Sequence, residues 1–135
     1  MIETSINIDV DNLERAIEFY TNAFGLQLGR RFDDSAAEML GASSKIYLLS
    51  KPAGSPASPS IPQKRDYRRH WTPVHINFVV DDINAAVEKA KTAGAKLEGD
   101  INTYKWGHIA YMSDPFGHGF CLIEFIGSGY DEIVG

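Results

Sequence analysis

Two side chains stand apart from the company they keep. Glu124 ends the apolar run Phe120-Cys121-Leu122-Ile123 and is followed by Phe125. A carboxylate buried in such a strand must meet a cavity, a metal or a cation, because an unpaired buried charge is strongly unfavourable. A structural salt bridge is the competing role. His75 opens the run Ile76-Asn77-Phe78-Val79-Val80, and taken alone it reads as an ordinary strand histidine. His108 precedes a third candidate strand; it reads as a surface or structural residue, or as an extra ligand or proton carrier. His118 follows a turn, and His70 lies in a basic connector. In that connector Lys64, Arg65, Arg68 and Arg69 cluster with Tyr67 and Trp71, which suits either an anion clamp or a solvated linker. Cys121, the single cysteine, excludes an internal disulfide and reads as a buried structural thiol. Tyr104, Trp106, Tyr111 and Met112 are core residues or the lining of a binding hollow.

The elements that position these residues come in two copies. Ser5-Ile6-Asn7-Ile8-Asp9-Val10-Asp11-Asn12-Leu13 matches His75-Ile76-Asn77-Phe78-Val79-Val80-Asp81-Asp82-Ile83 in pattern. The match continues through Ala16 with Ala86 and Glu18 with Glu88, then Gly25 with Gly94 and Leu28 with Leu97 after one gap. A repeat of this kind means one folded module used twice. Its chemical asymmetry is Ser5 opposite His75.

In the first copy, residues 3–10 read as a strand, and Asp11 or Asn12 caps a helix whose stripe is Leu13, Ala16, Ile17, Tyr20, Ala23 and Phe24. Gly25 ends that helix. Residues 26–32 and 45–50 read as strands. Composition favours helix for 35–42, but the repeat aligns it with the β-prone 107–113 and predicts a strand. The second copy gives strands over 75–80, 95–101, 107–113 and 119–126, with a helix capped by Asp81 or Asp82 and a turn at Asp114-Pro115-Phe116-Gly117. Each module therefore reads βαβββ, module one over 1–50 and module two over 74–127. The Pro-rich connector 51–73 is long for a structureless loop, and its aromatic and basic part Tyr67–Trp71 is expected to touch something, while 128–135 is a short tail expected to be mobile at its end.

Bulk properties exclude some partners. At 135 residues the chain has the size of one domain with a real core. A formal charge of −5 argues against nucleic acid, whose phosphates it would repel. No apolar run approaches the ~20 residues of a membrane span, and no signal-like start is present, so a cytoplasmic location is expected.

The two most specific stretches are His75-Ile-x-Phe-x-Val-x-Asp-Ile and Asp114-Pro115-x-Gly117-x-x-x-x-Leu122-Ile123-Glu124. Within a doubled βαβββ plan they resemble the vicinal oxygen chelate superfamily of glyoxalase I, type I extradiol dioxygenases, bleomycin- and fosfomycin-resistance proteins and methylmalonyl-CoA epimerase. The resemblance covers nearly the whole chain outside 51–73. It implies an α+β fold whose curved mixed sheets enclose a cup, a small-molecule substrate and a homodimer. It also implies one divalent ion (zinc, nickel, iron or manganese) held by side chains of the first and last strands of each module. In module two the matching residues are His75 and Glu124, an imidazole and a carboxylate. In module one they are Ser5 and Tyr47, or a neighbour among Leu48–Ser50, none a usual ligand, and two protein donors fall short of the three or four that zinc or nickel takes.

Two functions follow from the resemblance. One is a lyase- or isomerase-type enzyme, similar to lactoylglutathione lyase, with Glu124 as base or metal-bound carboxylate and His75 as second donor. In that reading Arg68 or Arg69 holds an anionic substrate, and Tyr47, Trp106 and Tyr111 line its site. The other is a metal-free binding protein like the bleomycin-resistance members, which sequesters a planar compound by burial.

Overall fold

The computed structural model describes residues 1–135. The chain divides into two compact units, Met1–Arg68 and Arg69–Gly135. Each contains one mixed sheet and one α-helix, as the repeat predicts.

The first unit runs β1 (Ser5–Val10), α1 (Leu13–Phe24), β2 (Gln27–Phe32), β3 (Ala36–Leu40) and β4 (Lys45–Ser50). Its sheet order is β1-β4-β3-β2, with β1 and β4 parallel and the other pairs antiparallel. Residues 36–40 form a strand although their composition favours helix. Ladders on both sides, to β2 and β4, outweigh a weak local preference. Asn12 caps α1, its Oδ1 accepting the Arg15 N–H at 3.1 Å, and Leu13, Ala16, Phe19, Tyr20 and Ala23 are buried. Ile8, Val10, Ile46, Leu48, Ala37 and Met39 are also buried and share one face by register. Arg31, level with Ala37 on that face, pairs with Glu14 of α1, so this is the helix side.

The second unit runs β5 (Ile76–Val79), α2 (Ile83–Ala93), β6 (Lys96–Leu97), β7 (Asn102–Tyr104), β8 (Gly107–Ser113) and β9 (Gly119–Phe125). The order is β5-β9-β8-β6, and β7 also pairs with β8. The strand expected over 95–101 is cut to two residues, with β7 as a separate piece further along the same neighbour. Asp82 caps α2, its Oδ1 accepting the Ala85 N–H at 3.1 Å. Asp114 shapes the β8–β9 turn by accepting the N–H groups of Phe116 and His118.

Both irregular segments are held by side-chain contacts. The connector is fixed at Arg65. Arg65 Nε donates to Asp9 Oδ2 at 2.7 Å, its Nη1 donates to Ser55 Oγ, and its backbone bonds Ser55 and Gly54. The tail folds as well: Gly129–Ile133 is a 3₁₀ turn that sets Tyr130 against Phe125 and Trp106, with ring centroids 4.8 and 5.1 Å away. Both depend on contacts between residues distant in sequence, which composition does not encode. No helix is long and apolar enough to cross a membrane.

Candidate functional site

Successive residues of a strand point to opposite faces. In β9, Phe120, Leu122 and Glu124 share one face, and Gly119, Cys121, Ile123 and Phe125 share the other. Glu124 Oε1 accepts the N–H of Ile83, the first residue of α2, at 2.8 Å. The Glu124 face is therefore the helix side. There the carboxylate satisfies an amide that has no partner within the helix, at the positive end of the helix dipole.

His75 lies on the other face. Asn77 is level with Cys121, so alternation puts His75, two residues earlier, in the Gly119–Cys121 set. Its imidazole meets Trp71 edge to face at 5.3 Å. Trp71 in turn covers Gly119 and meets Tyr111, which is level with Cys121, at 5.6 Å. His75 and Glu124 are thus on opposite sides of one sheet, and the expected metal-binding or catalytic pair is not assembled. The cause is register. His75 falls level with Gly119, and Glu124 is an odd number of residues further along β9, which reverses the face.

His108 does not replace the missing partner. It is level with Glu124 across β8 and β9, on the helix side, and its Nδ1 shares a hydrogen bond with the Thr103 hydroxyl at 2.8 Å. No three His, Cys, Asp or Glu side chains gather within either unit in a way that could hold a metal ion. The donor set does not fit the zinc, nickel, iron or manganese centre that the resemblance implies.

Three cations of the expected anion clamp have acidic partners within their own unit, and the Arg68 side chain stays 89% exposed. Arg65 pairs with Asp9, Arg68 with Asp66 at 2.6 Å, and Arg69 with Glu98. Arg69 and Trp71 form a strap on the helix-free face of the second unit. The His70 N–H donates to the Gly117 carbonyl at 3.0 Å, the guanidinium of Arg69 lies 4.9 Å from the Trp71 ring, and Trp71 Nε1 donates to Glu98 at 3.2 Å. Hydrogen bonds from Arg69 and then Trp71 hold the Glu98 carboxyl below the usual range. A Cβ on residue 119 would stand 2.6 Å from the indole, so glycine there is what lets Trp71 lie on β9. Trp106 is a packing residue: it covers Ile109, Cys121 and Ile123 and stacks on Tyr104 at 5.7 Å. Burial pushes the Cys121 thiol up to about 11, so it stays an inert thiol.

The helix-free face of the first unit sets Tyr47, an expected site residue, beside Asn7, Glu38 and Arg30, which the sequence analysis did not single out. Asn7, Tyr47 and Glu38 are level across β1, β4 and β3. Glu38 Oε2 accepts from Arg30 Nη2 at 2.7 Å and from the Tyr47 hydroxyl at 3.0 Å, and its Oε1 accepts the Arg30 backbone N–H at 3.2 Å. The Arg30 side-chain bonds, followed by its backbone bond, draw the Glu38 carboxyl down to about 2. A bulge in β2 between Leu28 and Arg31 brings Arg30 to this position. Gly29 leaves the space, since a Cβ there would stand 2.7 Å from Glu38 Oε1. The available signal was a single acid inside the apolar strand Ala36-Ala37-Glu38-Met39-Leu40, the same signal that singled out Glu124. Register also fixes the first-unit counterparts. Asn7 faces Tyr47 as Asn77 faces Cys121, so Tyr47 matches Cys121 and Ser50 matches Glu124.

Known proteins agree with this architecture. A family model described as the Glyoxalase/Bleomycin resistance protein/Dioxygenase superfamily matches residues 4–122. A protein of Vibrio parahaemolyticus serotype O3:K6 named "Probable lactoylglutathione lyase" is 29% identical over 124 residues, covering 85% of this chain and 84% of its own. The genomically encoded fosfomycin resistance protein FosX of Listeria monocytogenes superposes with a TM-score of 0.71 at 20% identity, covering 99% of this chain and all of its own. TioX of Micromonospora sp. ML1 superposes with a TM-score of 0.71 at 15% identity, covering 93% of this chain and 100% of its own. The chain belongs to the Glyoxalase/Bleomycin resistance protein/Dioxygenase superfamily.

Proposed function

We propose that this superfamily member binds a small oxygenated or planar compound on its helix-free sheet faces, without a divalent ion shared by His75 and Glu124. The observation carrying this reading is the Glu124 carboxylate engaged with the Ile83 N–H on the opposite face from His75. A metal-assisted enzyme needs three or four converging donors. A proton-transfer enzyme needs a base whose pKa lies near the working pH. Glu124 faces the helix, and Glu38, held at about 2, is a weak proton acceptor at neutral pH.

Metal analysis of protein purified without chelator or added metal tests this directly. The expected result is no stoichiometric divalent ion and no change on His75→Ala. An equimolar ion that is lost in that variant would overturn the reading. The relative named as a probable lactoylglutathione lyase supports a second reading, isomerisation of a hemithioacetal. A hemithioacetal assay separates the two, and turnover abolished by Glu124→Gln would favour the enzyme. Pairing of two copies is part of the same proposal, with sedimentation at working concentration as its check.

A further inference from the structure

We propose that Arg30 is an anion-recognition group of the first unit, presented to carboxylate or phosphate oxygens of a small ligand. This rests on the small-molecule-binding reading above and assigns it a ligand chemistry.

The Arg30–Glu38 pair is built asymmetrically. The Glu38 side chain is 5% exposed and the Arg30 side chain 64% exposed. Arg30 supplies the partner that the buried Glu38 carboxylate needs, while most of its own side chain stays in water. The arrangement also fixes orientation. Glu38 takes the side-on edge of the guanidinium, accepting from Nε at 3.2 Å to each oxygen and from Nη2 at 2.7 Å. The Phe32 ring centroid lies 5.5 Å from the guanidinium carbon. Tyr47, bonded to Glu38, is also 3.5 Å from Nη2. The remaining nitrogen, Nη1, makes no hydrogen bond, and a planar guanidinium fixed along one edge suits the matched oxygens of a carboxylate or phosphate.

Neighbouring residues support the same use. Gly29 leaves room for the Glu38 carboxylate, and the β2 bulge aims Arg30 at it. Asn7, level with Tyr47, places an exposed carboxamide on the same row, although asparagine is disfavoured within strands. The chain carries a formal charge of −5, so general attraction cannot gather anions, and recognition must come from placed donors. Glu38 acts here as a positioning residue.

The test is an NMR titration of isotope-labelled full-length protein at constant ionic strength, following the Arg30 Nε–H signal. Inorganic phosphate is added in one arm and acetate in the other. A saturable shift is expected in at least one arm, and the stronger arm identifies the oxyanion class. Arg30→Gln should weaken binding about tenfold, the scale of one charge-assisted contact. Glu38→Gln separates orientation from net charge. Removing a negative charge would tighten an unspecific site, whereas loosening the guanidinium should weaken this one several-fold. Backbone amide spectra verify folding, and Arg30→Lys, which keeps the charge and loses the fork, serves if Arg30→Gln does not fold. No saturable shift in either arm, undiminished binding in both Arg30 variants, or tighter binding in Glu38→Gln would overturn the proposal. A His75-dependent metal would overturn the metal-free reading and leave this titration unaffected.

Discussion

The two helix-free faces start from one pattern and use it differently. In the first unit, Asn7, Tyr47 and Glu38 are level across three strands, with Gly29 beside them. In the second, Asn77, Cys121 and Tyr111 hold the same places, and Glu98, whose N–H donates to the Tyr111 carbonyl at 2.8 Å, follows β6 at the edge. The acid has in effect moved one strand outward. Glu38 lies inside the sheet and presents an exposed arginine from the edge. Glu98 lies at the edge and anchors an arginine and a tryptophan from the chain's own strap. Gly29 and Gly119 both leave space, one for a carboxylate and one for an indole. One fold thus yields a face that displays a cation and a face partly covered by its own connector.

The largest effect is expected where that covering is forced away. Gly119→Ala places a methyl group against the Trp71 indole and should cost about 2 kcal/mol. Intrinsic fluorescence should shift with it as Trp71 is displaced, while unchanged emission and stability would mean that the strap does not depend on the notch. Next in size is the helix end. Glu124→Ala removes the acceptor for the Ile83 N–H and should cost about 1.5 kcal/mol in chemical denaturation. His75→Ala, on the other face, should stay within about 0.5 kcal/mol. Equal losses in the two variants would contradict their separation.

An acid titration sharpens the contrast between the faces. Glu38 has a folded pKa of about 2 against a reference of 4.5, so its stabilisation is complete above the reference value and is lost as pH falls from there toward 2. Glu38→Gln lacks this contribution, so the stability gap between wild type and variant should narrow through that acid range. A gap independent of pH would deny Arg30 its hold on the carboxylate.

Much of the fold was legible because the repeat carries it. The strand at 36–40 is the clearest case: its own composition suggested helix, and alignment with 107–113 gave the correct element. Caps at Asn12 and Asp82 were readable because capping is local. The contacts that hold the connector and tail were not legible, because Arg65 and Tyr130 act through partners elsewhere in the chain. At the candidate site, Glu124 was rightly singled out as a carboxylate needing a partner, but that partner is a backbone amide of α2. Arg68 and Arg69 were recognised as cations, while the acids that occupy them lie in the connector and at residue 98.

By itself, the sequence determined the doubled module, its helices, most of its strands and the superfamily, because periodicity, caps and turns are written in neighbouring residues. Only the tertiary structure decided which side chains share a face. That depends on how strands slide against each other, and a shift of one residue exchanges every inward and outward position. Register turned Glu124 toward a helix end, left His75 beside a tryptophan, and brought Arg30, Glu38 and Tyr47 together from three strands with no spacing in the chain to announce them.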